Sequence, residues 1–541
     1  MLLMYWAMTE EFTEIEKEIL SGYFSSIEED VFSITNLPEV TKAALFARYS
    51  RSPKSIRRLF LDEFYDNEMV SDQSRQGVAR AQGLFSRVLA DYGDDSVAQL
   101  GSIHFSFENI SNIATKVLER PRLMSYLEQS TRYIPYDLLD SNGKFRYYTP
   151  PELQGDDPLA FSNAMDELFV EYAALSKEVM ARLLQDGATS SEDSPLQRAT
   201  LRAAALDATR GLLPASTKSN VGVYGSAQAF EALTLHLLAH PLMEIQRLGA
   251  SLQRQLYSQI PSLVSRLDRN DRRDPWVKYL SDTRHISTRR ELKGATNSDP
   301  LEDDDCLTGE LGCRVRLISF DTDGERRVAS GILFEMTQLS AAQIDRYLDS
   351  ITAIELDHLF EGYIGERLNR RHRPSRAFER SRYLFEIETD YGAFRDLQRH
   401  RMLNISWQTL TMDLGSYASS RLKTKEKVRY QKALEAPLEL HARIDERYGS
   451  DISAYLVPMA YRVRFQIEAN ARELMHLIEL RSQPQGHESY REVAQLLFKA
   501  ISKVARHQRI SSSMLHVDLS DGSLGRRDSI KREIDKAERS I

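Results

Sequence analysis

Cysteine is nearly absent: 541 residues carry two, Cys306 and Cys313. They lie close together in a charged stretch, with neither a second pair nor a histidine cluster beside them. A zinc site and a disulfide framework are therefore excluded, and reduced thiols in a cytoplasmic protein are expected. Long apolar runs are missing too. The opening Met1 to Met8 is apolar but short, an acidic run from Thr9 follows it, and it has no basic flank or cleavage pattern of a signal peptide. No other segment is long enough to span a bilayer. Basic excess is also lacking, since Lys and Arg number 71 against 79 Asp and Glu, for a net charge of -8. A phosphate polymer would meet a repulsive mean field, which argues against a nucleic-acid partner. Local arginine clusters must then be sites for small anions or solvated faces.

What is present is ordinary globular material, 42% hydrophobic and 28% charged, in a chain long enough for two domains of middling size. Two stretches stand out. The first runs from Arg120-Pro121-Arg122 through Ser125, Glu128 and Ser130 to Arg132-Tyr133. The second runs from Arg399-His400-Arg401 through Asn404 and Ser406 to Thr409 and Thr411. Aligned on their first arginines they fall into register without a gap. Each lacks what the other keeps: Pro121 stands opposite His400, and Thr411 opposite Arg132. Such complementary losses point to an internal duplication whose copies have divided one site between them.

Together the halves resemble the signature of the flavin-dependent thymidylate synthases: Arg-His-Arg, two residues, Ser, four residues, Ser-x-Arg. The resemblance extends through Gly93 to Tyr133, including Ser96-Val97, Phe105, Phe107, Glu108 and Ile110-Ser111. It continues to Arg210-Gly-Leu-Leu-Pro214, matched in the second copy by Val457-Pro458, and to Asn470-Ala-Arg472 with Leu480-Arg481. In the first copy the last two places hold Ser226-Ala-Gln228 and Leu237. Departures are Asp94 for a usual flavin-contacting histidine, Gln99 for a glutamate, and Asp396 for a Gln next to the nucleotide. An extra carboxylate near a phosphate is unfavourable unless paired.

The resemblance implies an α+β fold present as two tandem copies, each a mixed sheet with long helices. It implies FAD seated by Arg399, His400, Arg401, Asn470 and Arg472, because guanidinium forks suit a pyrophosphate. It implies dUMP held by Glu128, Ser130, Arg132, Arg210 and Arg481, with Arg399 and Arg481 serving catalysis, no metal, and no cysteine nucleophile. The implied reaction is reductive methylation of dUMP to dTMP with 5,10-methylenetetrahydrofolate and NADPH. Two alternatives stay open: flavin-dependent hydroxymethylation of a pyrimidine nucleotide, and a degenerate paralogue that binds FAD or nucleotide without turnover. The resemblance implies a homotetramer with sites between subunits, so a homodimer of this chain is expected to imitate it, copy one of one molecule completing copy two of its partner; an arrangement within one chain, across the long linker, stays open.

The division expected along the chain is an N-terminal extension over 1–30, copy one over 31–284, a linker over 285–312 and copy two over 313–541. Val31 to Thr35 reads as a strand and Val40 to Ser50 as a helix. The alternating Cys313 to Phe320 reads as a strand, followed by a helix over Val328 to Phe334. Met165, Leu168, Phe169, Tyr172, Leu175 and Val179 have helical spacing within 159–184, with Gly187 as a stop. Ala227–Leu238 and Ala469–Leu480 read as helices. The charged tail from Ser523 reads as a solvent-exposed or frayed helix.

Overall fold

The computed structural model describes residues 11–50, 52–65, 99–187, 195–283 and 306–520. Gly93 to Val97 with Asp94, linker residues 285–305 and the tail from Ser523 lie outside the described residues. The chain divides into two compact units that cut across the expected copies. One comprises 1–107, 123–128 and 220–297; the other comprises 108–122, 129–219 and 298–541.

A three-stranded sheet, most of its residues in the first unit, has the order β1-β3-β2, with β1 Ser102–Ser111, β2 Met124–Glu128 and β3 Lys218–Ser226. β2 pairs antiparallel with β3, from Met124 opposite Gly225 to Glu128 opposite Val221. Ser226 ends β3 and caps the helix Ala227–Leu238, its hydroxyl accepting from Ala229 N. The helix Met243–Gln259 packs against it so closely that a Cβ on Gly249 would lie 2.9 Å from Leu237 Cβ, which only glycine permits. The helix expected over Val40 to Ser50 is Glu39–Tyr49. The strand expected over Val31 to Thr35 does not form. Ile34 makes a single bridge to Phe24, Val31 is exposed, and Asn36 at φ 55° turns the chain away before a ladder can extend.

The second unit carries a five-stranded sheet of order β4-β5-β6-β8-β7, formed by Leu307–Thr308, Arg314–Phe320, Arg382–Asp390, Arg462–Asn470 and Asn404–Trp407 respectively. All pairings are antiparallel. Its β6-β8-β7 part repeats the order β1-β3-β2, and here too the strand that precedes a helix supplies the cap: Asn470 Oδ1 accepts from Glu473 N at 2.9 Å at the start of Ala471–Arg481. The described end of the expected linker is ordered, because Leu307 pairs with Val315 and Glu492 accepts from Leu311 N and Cys313 N. Arg314–Phe320 and the helix Gly324–Met336 stand where periodicity places them.

The helix Asp157–Gly187 runs 31 residues, roughly 46 Å at 1.5 Å per residue. Met165, Leu168, Phe169, Tyr172, Leu175 and Val179 form its buried stripe. Its other faces are fastened to copy two. Arg182 grips Glu426 with two hydrogen bonds of 2.8 and 2.9 Å, and Asp157 accepts from Arg447 at 2.7 Å and Tyr448 at 2.8 Å. Asp157 sits at the helix N-terminus, where the dipole favours its charge.

At the Leu-Pro elements the two copies meet as near mirror partners. Pro214 bridges Pro458 antiparallel. Ala215 N donates to Val457 O at 2.8 Å, and the matching Met459 N donates to Leu213 O at 2.9 Å. Ser216 N donates to Tyr455 O at 3.1 Å, and the matching Ala460 N donates to Gly211 O at 3.0 Å. Such reciprocal bonding is what an isologous two-fold contact requires. Here it lies within one chain.

Candidate active site

Arg210 opens a short 3-10 turn, Arg210–Leu212, directly after the helix Pro195–Thr209 that carries Asp207. That junction places Arg210 Nε 3.7 Å from Asp207 Oδ1. Ser130 accepts at its hydroxyl from Arg132 N at 3.3 Å and sets the turn that aims Arg132 at the same carboxylate, Nε to Oδ1 3.0 Å. Arg132 also donates to Tyr490 OH at 3.3 Å and to Gln485 O at 3.1 Å. His487 completes the group with Nδ1 3.1 Å from Asp207 Oδ1. Burial alone would raise the Asp207 carboxyl, but Arg132, His487 and Arg210 outweigh it and hold the group well below the usual carboxylate range. Burial likewise opposes charge on Arg132, and Asp207, Tyr490 and Asp396 overcome it, holding the guanidinium above its ordinary value.

A second carboxylate lies beyond Arg210. Asp396, in the buried helix Tyr391–Leu397, has Arg210 Nη1 at 3.7 Å, Arg399 Nη1 at 3.9 Å and Arg481 Nη1 at 4.0 Å. Burial raises it, yet Arg399, Arg210 and Arg481 prevail and keep it ionised far below the ordinary range. The extra carboxylate is thus paired. Arg481 Nε donates to His400 Nε2 at 3.1 Å, and Tyr490 lies between two cations, 5.4 Å from Arg481 and 5.9 Å from Arg132.

His400 is buried between Arg481 and Glu473, with Nδ1 3.2 Å from Glu473 Oε1. Because Nε2 accepts from Arg481, the hydrogen-bonding pattern assigns the proton to Nδ1, which donates to Glu473. Burial, then Arg481 and Arg373, pushes the imidazole well below its usual value of 6.5, so the ring is neutral and no ion pair with Glu473 exists. Burial and His400 push neighbouring His476 down to about 4. The sign follows. Below about 6.5 the unfolded chain takes up protons that the folded one refuses, so stability falls as pH drops through that value. Asp207 and Asp396, depressed on folding, add losses only below the unfolded Asp value of about 3.9. The expected outcome is a declining unfolding midpoint between pH 7 and 5, less steep in His400→Asn; equal slopes for the two proteins would contradict a neutral His400.

Arg132 and Arg210 from copy one and Arg399, His400 and Arg481 from copy two therefore converge within a single unit of one chain. Of the two arrangements left open, this is the one within a chain, with the reciprocal Leu-Pro pairing joining the copies internally. Asn470 and Arg472 are not brought to this cluster. Asn470 caps its helix, and Arg472 Nε donates to Pro374 O at 2.8 Å with Nη1 3.6 Å from Glu379. They sit at the opposite end of an 11-residue helix from Arg481, roughly 14 Å away. Glu128 is buried at the end of β2 in the first unit. Gln99 is exposed in a turn.

Arg401 lines a separate cleft with Glu119, Arg120, Arg122, Gln398, His400 and Asn404. The two signature triplets thus border one opening. Arg122 Nη2 reaches Asn404 Oδ1 at 3.5 Å, and Gln398 Nε2 donates to Lys116 O at 2.9 Å. Glu119 pairs with Lys116 at 2.5 Å, both nearly fully buried. Asp207, His487, Tyr490 and Glu473 were not singled out in the sequence. Asp207 had a signal, lying three residues before Arg210 on a helix; His487 and Tyr490 had none. The thiols stand apart: burial pushes Cys313 well above its ordinary value and raises Cys306, which disfavours the thiolate in both. No group of His, Cys, Asp and Glu among the described residues is arranged to hold a metal ion, and no described helix is long and apolar enough to cross a membrane.

The family described as Thymidylate synthase complementing protein matches residues 35–262 and again 316–505. A UPF0159 protein of Chlamydia pneumoniae is 36% identical over 527 residues, covering 96% of this chain and 97% of its own length. A UPF0159 protein of Thermoplasma acidophilum is 29% identical over 515 residues, covering 90% and 97%. A flavin-dependent thymidylate synthase of a Mycobacterium species, strain KMS, is 31% identical over 185 residues, or 34% of this chain and 68% of that protein.

Proposed function

Because the chain belongs to the thymidylate synthase complementing protein family, whose model it matches twice in tandem, we propose that it converts dUMP to dTMP with 5,10-methylenetetrahydrofolate and NADPH, in the cytoplasm. The observation that carries this reading is the buried convergence of Arg132 and Arg210 with Arg399, His400 and Arg481. Four guanidiniums face two carboxylates there, an excess of positive charge that suits a phosphate monoester. Ser130 and Arg132 take the phosphate, while Arg481, fixed by neutral His400 and Tyr490, meets the base. The cleft between the triplets fits FAD in its chemistry, because Arg120, Arg122 and Arg401 offer forks to a pyrophosphate. Asn470 and Arg472 extend this seat from the far end of their helix. When bound, the flavin supplies hydride transfer from the nicotinamide to the one-carbon unit joining the uracil. Two chains in a homodimer restore the four copies of the family's assembly.

Anaerobic turnover tests the proposal. With dUMP, methylenetetrahydrofolate and NADPH, dTMP should form in equal amount to the NADP and tetrahydrofolate produced. Hydroxymethyl-dUMP as product would favour the hydroxymethylase, and a yellow, nucleotide-binding protein that makes neither product would establish the non-catalytic alternative.

A further inference from the structure

Past residue 505, where the family match ends, the chain returns to the segment that links Arg481 to Tyr490. His516 N donates to Glu479 Oε1 at 3.3 Å, and Asp518 N donates to Ser482 Oγ at 3.0 Å. Three side chains answer with donors of their own. Gln483 Nε2 reaches His516 O at 2.9 Å, Gln495 Nε2 reaches Asp518 O at 3.0 Å and Ser520 O at 3.2 Å, and Arg491 Nη2 reaches Ser520 O at 3.0 Å. Arg491 is buried in the helix Glu488–Lys499, and its Nε donates at 2.9 Å to Ser482 O, a carbonyl at the end of the Ala471–Arg481 helix that has no intrahelical partner. Arg367 fastens the start of the segment, with Nη1 2.7 Å from Glu479 Oε1 and 2.6 Å from Ser513 O.

The stretch held in this way is the one that meets copy one. Its Gln485 O and Tyr490 OH accept from Arg132, and its His487 lies against Asp207. Between the two sets of bonds lies a tight turn, closed by Gly486 N donating to Gln483 O at 2.9 Å. A Cβ on Gly486 would lie 2.6 Å from the Tyr490 ring, so the turn has no slack in which to absorb a displacement. We propose that residues 513–520 form a strap that sets this turn against Arg132, which makes Gln483, Arg491 and Gln495 positioning residues acting on Arg132 through the turn. This rests on the reading of the arginine cluster as a dUMP site. Docking of the strap and occupancy of the cluster are then coupled, and such coupling acts equally in both directions.

Hydrogen exchange on the full chain reads the coupling. In wild type, saturating dUMP should slow exchange at the His516 and Asp518 amides by about five-fold or more, the lower end of ordinary coupling between sites. The Ala229 amide, bonded to Ser226 in the other unit, should not change. Gln483→Ala combined with Gln495→Ala should weaken dUMP by a similar factor and keep its flavin, because freeing the strap can cost no more than the coupling supplies. A strap that is merely structural would exchange equally with and without bound dUMP, and that result would overturn the proposal. So would full dUMP affinity in a double variant whose strap exchanges faster than in wild type. Wild type that binds no dUMP would sink the wider reading, and Arg132→Ala then decides the coupling alone. Faster exchange at His516 and Asp518 with Ala229 unaltered upholds the strap; unaltered exchange at those two amides overturns it.

Discussion

Asp207→Ala is expected to cost about 3–5 kcal/mol of folding stability, the range for removing one partner of a buried ion pair. Asp207 is 4% exposed and answers three cationic or polar groups at once: Arg132 at 3.0 Å, His487 at 3.1 Å and Arg210 at 3.7 Å. Without it Arg210 keeps only Asp396, also at 3.7 Å, and Arg132 keeps Tyr490 OH and Gln485 O. Asp207→Asn retains the volume and an acceptor and should lose less. The denaturant midpoint at constant slope measures both. A loss under about 1 kcal/mol in Asp207→Ala, the size of a surface pair, would mean that the guanidiniums are not truly desolvated.

The second large effect is a null. Arg132→Ala and Arg481→Ala should each abolish turnover, and mixed dimers of the two should stay inactive. Every site draws both arginines from one chain, so every site in a mixed dimer carries one lesion. Sites shared between chains behave otherwise: one would have both lesions and one neither, and random pairing would restore about a quarter of wild-type activity. Recovery near that level, with mixed dimers demonstrated by tags, would place the halves of the site on different molecules.

Elements with strong internal periodicity were legible from sequence alone. The expected 159–184 helix is Asp157–Gly187, and Ala227–Leu238 matches residue for residue, because apolar spacing defines both locally and Ser226 caps the second. The strand at 31–35 failed for a nonlocal reason: alternation describes a surface to be covered, and there Phe24 alone is on hand to pair. In the site, aligned arginines were visible because a guanidinium is specified by residue type. Among their partners Asp396 stood out as a departure and Asp207 lay three residues before Arg210, but His487 was hidden: it matters only through the segment that faces it, and a separation of 280 residues from Asp207 leaves no spacing to read. The signature also led to Asn470 and Arg472 together with His400, and His400 does reach the first turn of their helix through Glu473, while Arg481 stands at the other end.

The reciprocal bonding around Pro214 and Pro458 has a consequence for how this contact responds to dilution and to drift. Between two identical molecules such a contact weakens as concentration falls; within one chain the covalent connection holds the partner at an effective concentration that dilution does not change. It also ends the rule that each residue at the dyad meets its own twin. Gly211 occupies one side, where a Cβ would lie 1.9 Å from the Tyr430 hydroxyl, while its counterpart Tyr455 places its ring 5.7 Å from that of Tyr148. A tyrosine would not fit at 211, and a glycine at buried 455 would leave a void, so a small residue and a large one now stand at matching positions. An alteration there is felt once per chain instead of twice per pair, which lets the halves diverge without parting.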